Sequence, residues 1–154
     1  MECLYLPSPS EKIINLKNVS TIQLDSERKK IIFNFINSIN IMDRETPDYC
    51  YQNFKTPEET EEAFEALKQT RYIKENFIIS KKQTNRGEIL NKNFITSINI
   101  DERRKRIIFN LNFSITIFDT KLQKPIKISK FVYFDYKSVQ QMKEELGKFI
   151  GNLI

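Results

Sequence analysis

TIQLDSERKKIIFNFINSINIMD (residues 21–43) and SINIDERRKRIIFNLNFSITIFD (residues 97–119) are two versions of one segment, and they align without a gap at an offset of 76. Of the 22 positions from Ile22 to Asp43, 12 carry the identical residue in the second segment. Because a match of this length rarely arises by chance, the sequence predicts an internal duplication.

A second matching pair lies downstream of the first. YQNFKTPEETEEAFEAL, from Tyr51, aligns with YFDYKSVQQMKEELGKF, from Tyr133, at an offset of 82. The second copy therefore has six extra residues between the two matching blocks, and a loop absorbs such an insertion at little cost in free energy. We predict one domain, 1–154, made of two internal repeats, 1–71 and 72–154.

Each copy has the period of a half-buried strand. In the second copy Ile107, Phe109 and Leu111 fall on every second position, with Asn110 and Asn112 on alternate ones. The loops DSERKK and DERRKR each join this strand to an earlier one, which predicts an antiparallel hairpin in each copy. A later strand follows, and a weaker strand opens each copy.

A helix closes each copy. The start TPEE, from Thr56, offers an N-cap threonine, a proline at the first helical position and a glutamate two residues later, and SVQQ, from Ser138, repeats this pattern. The predicted fold is α+β: two tandem ββββα repeats whose antiparallel sheets pack with two helices around a shared core.

The composition argues against catalysis. The chain has no histidine, two cysteines and three glycines, so it lacks the commonest general base, a zinc-ligand spacing and a phosphate-binding loop. We predict no enzymatic activity, no catalytic residue, and no cofactor or metal. The sequence also lacks a signal-peptide pattern and an apolar run long enough to cross a bilayer, which predicts a cytoplasmic protein.

The charge is unevenly distributed. Residues 56–70 hold five glutamates and one lysine, a local charge of −4, so the remainder of this +5 chain carries +9. A basic side of this kind attracts polyanions.

Three features are candidates for binding: the basic loops, the uncharged polar face of the strands and the aromatic strand before each helix. Charged loops and polar sheet faces are also common as ordinary solvated surface, and half of the aromatic rings belong to the core. The candidate nucleic-acid-binding residues are Arg28, Lys29, Lys30, Arg103, Arg104, Lys105 and Arg106 in the loops, Asn34, Asn110 and Asn112 on the polar face, and Tyr51 and Tyr133 in the aromatic strands.

Two consecutive units of four strands and a helix resemble the architecture of PUR-repeat and Whirly proteins. The stretch FIISKKQTNRGEIL, from Phe77, is similar to the first hairpin of a PUR repeat, with Arg86 and Gly87 at its turn. The first copy has LYLPSPSEKIINL there, without Arg-Gly, and each unit is longer than a typical PUR repeat. The resemblance implies a binder of single-stranded DNA or RNA, often a dimeric one, and adds Lys82 and Arg86 to the candidate residues.

The sequence therefore predicts a non-catalytic single-stranded nucleic-acid-binding protein without a membrane segment. Basic loops would neutralise phosphates, while tyrosines and the polar face would contact bases. The alternative is a protein-interaction or structural accessory module with a protein partner and no nucleic-acid role.

Overall fold

The computed structural model describes residues 2–35, 39–41, 44–46, 49–83, 88–119 and 124–153. In chain order they form β1 (Cys3–Leu6), β2 (Lys12–Asn15), β3 (Val19–Asp25), β4 (Lys30–Phe35), β5 (Ile39–Ile41), β6 (Arg44–Thr46), β7 (Tyr49–Asn53), α1 (Pro57–Lys68), α2 (Arg71–Asn76), β8 (Phe77–Ile78), β9 (Glu88–Asn91), β10 (Ile95–Asp101), β11 (Arg106–Asp119), β12 (Lys124–Asp135) and α3 (Val139–Leu153). Within these ranges all strand pairs are antiparallel, so the predicted α+β class with antiparallel sheets is confirmed.

The chain folds into two compact units. The first unit contains β1–β4, β7, α1, α2, β8 and β9, and the second contains β5, β6, β10–β12 and α3. Strands β8 and β9 thus belong to the first unit although they follow its helices in the chain. The single domain with repeats at 1–71 and 72–154, and its shared core, stay predictions.

The first unit is built on a five-stranded sheet with the order β7-β4-β3-β9-β8. One face of this sheet is apolar, because alternate residues such as Ile22, Phe33 and Ile89 are buried. Phe64 and Leu67 of α1 belong to the same hydrophobic cluster. The helix therefore covers one face of the sheet, and the side chains between the buried ones lie on the other.

The second unit has a three-stranded sheet with the order β10-β11-β12. Its core is aromatic: the ring centroids of Phe109 and Phe134 are 5.0 Å apart, and the ring of Phe149 from α3 lies 5.9 Å from Phe109. The Phe109–Phe134 pair is edge-to-face, a geometry that adds stability beyond the burial of its area. Helix α3 therefore has the same role here that α1 has in the first unit.

The two central hairpins have the same register at an offset of 76. Val19 lies opposite Phe35 in the first, and Ile95 lies opposite Leu111 in the second. An irregularity follows at the next position in both hairpins, after which pairing continues to the turn. The identical residues from Ile22 to Asn34 therefore occupy places equivalent to those of their counterparts in the second hairpin.

Both predicted helix starts are confirmed. The Thr56 hydroxyl accepts a hydrogen bond from the backbone N–H of Glu59 at 3.1 Å, and Ser138 accepts one from Gln141 at the same distance. These caps satisfy backbone donors that have no partner within the helix. Each of these two helices follows an edge strand of its sheet, β7 before α1 and β12 before α3.

Tyr136 anchors the end of β12 to the loop after β8. Its buried hydroxyl lies 2.9 Å from the Ser80 hydroxyl. Burial raises the pKa of Tyr136 from 10.0 to about 12, although the hydrogen bond with Ser80 acts in the opposite direction and the charge of Glu145 adds to the rise. The folded protein therefore favours the neutral phenol.

We expect the free energy of unfolding to fall as pH rises from about 10 to about 12. Below this window both states keep the Tyr136 proton, but within it the unfolded chain loses the proton first, so ionisation pulls the equilibrium toward the unfolded state. Urea unfolding across this range should give a flatter profile for Tyr136→Phe than for the unsubstituted chain. Tyr49→Phe, at an exposed tyrosine, is the matched control, and identical profiles for Tyr136→Phe and the unsubstituted chain would contradict the prediction.

Candidate nucleic-acid interface

The two basic loops are the same four-residue turn. Asp25 Oδ1 accepts a hydrogen bond from the backbone N–H of Arg28 at 3.1 Å, and Asp101 Oδ1 accepts one from Arg104 at 3.1 Å. An aspartate that bonds the backbone three residues on stabilises a turn locally. The aspartate that is identical in the two copies therefore has a structural role.

Each turn ends in a lysine with left-handed backbone geometry. The φ angle is 57° at Lys29 and 56° at Lys105, and these are the residues other than glycine with positive φ in the described part of the chain. Side chains other than those of glycine, asparagine and aspartate rarely adopt this conformation, which costs about 1–2 kcal/mol. Both turns thus hold a lysine where glycine would fit better, and both lysines are exposed.

The neighbouring arginines are near the turn aspartates but remain accessible. Arg28 Nε lies 3.8 Å from Asp25 Oδ2, and Arg104 Nη1 lies 3.6 Å from Asp101 Oδ2. The arginine side chains are 78% and 68% exposed, and ion pairs of such exposed groups contribute little to stability. Both guanidinium groups can therefore reorient toward a ligand at low cost. Arg103, the fourth basic residue of the second loop, is exposed and has Glu27 as its counterpart.

Strands β4 and β7 form what we call the outer face of the first unit, opposite its core. Residues directly opposite one another in an antiparallel pair point to the same side, so the register places one set of side chains together. This set is Lys30, Ile32, Asn34, Tyr49 and Tyr51. They line a surface pocket of about 270 Å³ with Asp25 and Arg28. Lys30 Nζ lies 4.2 Å from the centre of the Tyr51 ring.

The outer face of the second unit, formed by β11 and β12, carries the equivalent set. Its members are Arg106, Ile108, Asn110, Phe131 and Tyr133. Arg106 Cζ lies 3.7 Å above the Tyr133 ring, which is a cation–π contact like that of Lys30 and Tyr51. The Phe131 and Tyr133 rings are stacked, with centroids 6.5 Å apart and planes at 29°, and Phe131 is 56% exposed. All five residues are therefore identical to their counterparts or of the same chemical type.

The two outer faces differ in one charge. Asp135 lies opposite Arg106 and forms a two-point ion pair with it, with Nε–Oδ1 at 2.7 Å and Nη2–Oδ2 at 3.3 Å. This contact raises the pKa of the Arg106 guanidinium. In the first unit the residue opposite Lys30 on β7 is Asn53, so the partner from that strand is uncharged. The positive charge of the first outer face is consequently less compensated.

The central asparagines are held by their own sheets. Asn34 Nδ2 donates to Thr21 Oγ1 at 2.8 Å and to Gln23 Oε1 at 3.2 Å. Asn110 Nδ2 donates to Ser97 Oγ at 3.0 Å and also to the side-chain oxygen of Asn99. Since both donors of each amide are used in this way, the amide oxygen is the atom left to contact a ligand.

The remaining predicted residues lie elsewhere. Lys82 is exposed in the segment after β8, with its Nζ 4.0 Å from Glu144 Oε2. Asn112 is exposed on β11, past the last residue that pairs with β10. Arg86 lies outside the described residues. Within each unit the register therefore brings together the strand-end base, the central asparagine and the tyrosine, but not Lys82 or Asn112.

The candidate set missed two residues that the register adds, Tyr49 and Phe131. Their signal was present in the sequence, since each lies two positions before a predicted tyrosine and alternation puts both on one face. Asp135 was missed because its contact with Arg106 depends on pairing across 29 residues.

Where the structure is described, no three histidine, cysteine, aspartate or glutamate residues are grouped so that they could bind a metal ion. None of the helices in the described ranges has the length and apolar content needed to span a bilayer.

A scan against protein-family models, a search of curated proteins and a search of solved structures each gave no match. The resemblance to PUR-repeat and Whirly proteins therefore stays a prediction.

We expect Lys29→Gly and Lys105→Gly to keep the hairpins intact and to raise the free energy of unfolding by up to about 1 kcal/mol each. Glycine adopts positive φ without steric cost, although its greater freedom in the unfolded chain reduces the gain. Urea unfolding measures the effect. Glu27→Gly, in the same turn but without positive φ, is the matched control and should lower stability. A loss of stability in both lysine variants would contradict the left-handed geometry.

Proposed function

We propose that this protein is a non-catalytic binder of single-stranded DNA or RNA, and that it binds through the outer faces and the basic turns of its two units. The observation that supports this most is the repeated constellation itself. Each outer face combines a cation over a tyrosine, a second aromatic ring, an aliphatic side chain and an asparagine at the same register. A solvated surface has no physical need to repeat this combination.

We infer that the chain is a duplicated ββββα unit and that the two outer faces are two copies of one binding surface. The equal register of the central hairpins and the equivalent helix caps support this inference. Two equivalent surfaces on one chain suit a polymeric ligand with a repeating backbone, because successive nucleotides present the same groups.

The side chains fit a single strand better than a duplex. Exposed rings such as Phe131 offer stacking surfaces, and only unpaired bases can leave their own stack to use them. The turn lysines and arginines, at the edge of the same faces, suit the phosphates of the strand. In this arrangement the amide oxygens of Asn34 and Asn110 would accept hydrogen bonds from base amino groups.

Because the two outer faces differ in charge, we expect them to contribute differently to nucleic-acid binding. Lys30 has one carboxylate opposite, Asp25 on β3, and a neutral residue on β7. Arg106 has Asp101 opposite on β10 and is also engaged by Asp135 on β12. We therefore expect the first unit to contribute more of the phosphate attraction. The second unit, with stacked and exposed rings, would contribute more to base stacking.

Removing the turn lysines should weaken binding and reduce its dependence on salt. The double variant Lys29→Gly/Lys105→Gly suits this test because the turns accept glycine, so the hairpins should survive. Each lost phosphate contact should make the slope of log K against log salt less negative by about 0.7. Fluorescence anisotropy with a labelled single strand at several salt concentrations measures this.

The control for the charge test is Lys74→Gln, which removes one exposed positive charge from α2 and should leave the slope unchanged. A duplex of the same sequence should bind more weakly than the single strand. If the unsubstituted chain shows no binding to single strands at low salt, the proposed function is wrong.

The aromatic rings should contribute separately from the charges. We expect Tyr51→Leu and Phe131→Leu each to reduce affinity for a single strand about 5- to 150-fold, the range that corresponds to about 1–3 kcal/mol per stacked base. Leucine preserves apolar volume, and the salt slope should stay close to that of the unsubstituted chain. Tyr5→Leu, at an exposed tyrosine of β1, is the control and should bind normally. Unchanged affinity in both face variants would exclude base stacking at these rings.

A further inference from the structure

The sheet of the first unit is completed by a strand that lies far along the chain. Strand β9 pairs with the edge of β3 in the register Thr21↔Leu90, Ile22↔Ile89 and Gln23↔Glu88. This pairing buries Ile89 to 1% exposure and places the Asn91 amide 3.0 Å from the Val19 carbonyl, to which it donates. The edge of β3 is thereby closed.

Strand β2 is the counterpart of β9 at the offset of 76. Both have the pattern of two aliphatic residues followed by asparagine, and a short 3₁₀ turn and a long strand follow each of them. Their pairing to the preceding strand is also equivalent, because Asn15 lies opposite Cys3 and Asn91 lies opposite Phe77. The backbone of β2 is therefore arranged to pair with a strand of the same kind as β3, the strand that β9 pairs with.

The counterpart of β3 is β10, and its edge is open. In the described part of the chain β10 pairs with β11 alone, and β2 pairs with β1 alone. The side chains reflect this, since Ile13 is 73% exposed where its counterpart Ile89 is buried, and Ile100 of β10 is also exposed. An open strand edge beside exposed apolar side chains tends to pair with another strand.

We propose that β2 of one molecule adds to the β10 edge of a second copy of this chain. The register follows from the closed pair by the offset of 76: Ile14 opposite Ser97, Ile13 opposite Ile98, and Lys12 opposite Asn99. The resulting sheet has the order β12-β11-β10-β2-β1, which is the counterpart of β7-β4-β3-β9-β8. Because each copy offers one β2 and one β10, reciprocal exchange forms a closed two-fold dimer.

The side chains at this register suit one another. Ile13 would lie against Ile98 as Ile89 lies against Ile22, so the most exposed isoleucine of the hairpin would become buried. The closed edge has a hydrogen bond of 3.1 Å from Gln23 Nε2 to Glu88 Oε1. At the open edge the donor and acceptor are reversed, with a Lys12 ammonium opposite the Asn99 amide oxygen. Both polar pairs are therefore complementary.

The second copy is the occupant that the chain itself specifies. The two open edges carry complementary residues, and neither is paired within the described structure. The β1–β2 hairpin already packs Leu6 and Ile14 into the core of the first unit, so its exposed side is the one with Tyr5 and Ile13. This face of the hairpin and the edge of β2 are therefore available to a second copy of the chain, whose β10 edge is open as well.

The mass of the nuclease-treated, nucleic-acid-free protein in solution tests the proposal independently of the proposed function. We expect the unsubstituted chain to be a dimer and Ile13→Lys to be a monomer at the same concentration, because a charge at this position opposes burial beside Ile98. Phe131→Lys is the matched control, since it adds a charge at another exposed apolar residue and should remain dimeric. A monomeric unsubstituted chain, or a dimer that Ile13→Lys leaves intact, would overturn the proposal.

A disulfide tests the register and the exchange between molecules. One chain carries Ile13→Cys, a differently tagged chain carries Ile98→Cys, both carry Cys3→Ser, and the two are co-expressed. Residues directly opposite in an antiparallel pair lie within the Cα distance that a disulfide needs. We expect oxidation to link the two tagged chains by a disulfide. When Asn99→Cys replaces Ile98→Cys, the cysteine lies on the other face of the sheet, and we expect no link. Failure to join the two tagged chains, including the case in which only a doubly substituted single chain closes its disulfide, would overturn exchange between copies.

Discussion

The outer faces of both units depend on the register of the two central hairpins, and a capped four-residue turn fixes that register. A shift of one residue would move every side chain of a strand to the opposite face. The hydrogen bond that Asp25 or Asp101 accepts from the turn backbone therefore affects the whole hairpin and not the turn alone. It sets which side chains pack against the helix and which face solvent. The cation–tyrosine contacts follow from this register and do not need a separate explanation.

Local patterns were sufficient to predict much of the fold. Alternation indicated β3, β4, β10 and β11, and the capping residues located the starts of α1 and α3 because these signals act within a few residues. Alternation did not indicate β2 and β9, since four-residue segments such as KIIN and EILN have too little alternation to identify a strand, and only the resemblance to the first PUR hairpin implied a strand after Gly87. Helix α2 was also missed, and it has six residues and no side-chain bond at its N-cap.

The site residues that short sequence patterns specify could be predicted. Tyr51 and Tyr133 follow from alternation, and the turn bases follow from the repeated loop. The ion pair of Arg106 with Asp135 and the use of both Asn34 donors depend on contacts across strands, which no short pattern specifies. These contacts distinguish two faces that look alike in sequence, because one charge is neutralised in the second unit and its counterpart is not.

The position of β9 has a consequence for how the chain acquires its structure during synthesis. The ribosome makes β3, β4, β7 and α1 first, but the edge of β3 stays open until Asn91 has been made. A domain usually folds once its own segment has emerged, and here that segment extends well into the second copy. The first sheet is therefore completed late in synthesis. In a chain that stops between the two copies, the edge of β3 would stay unpaired and would tend to associate with other strands.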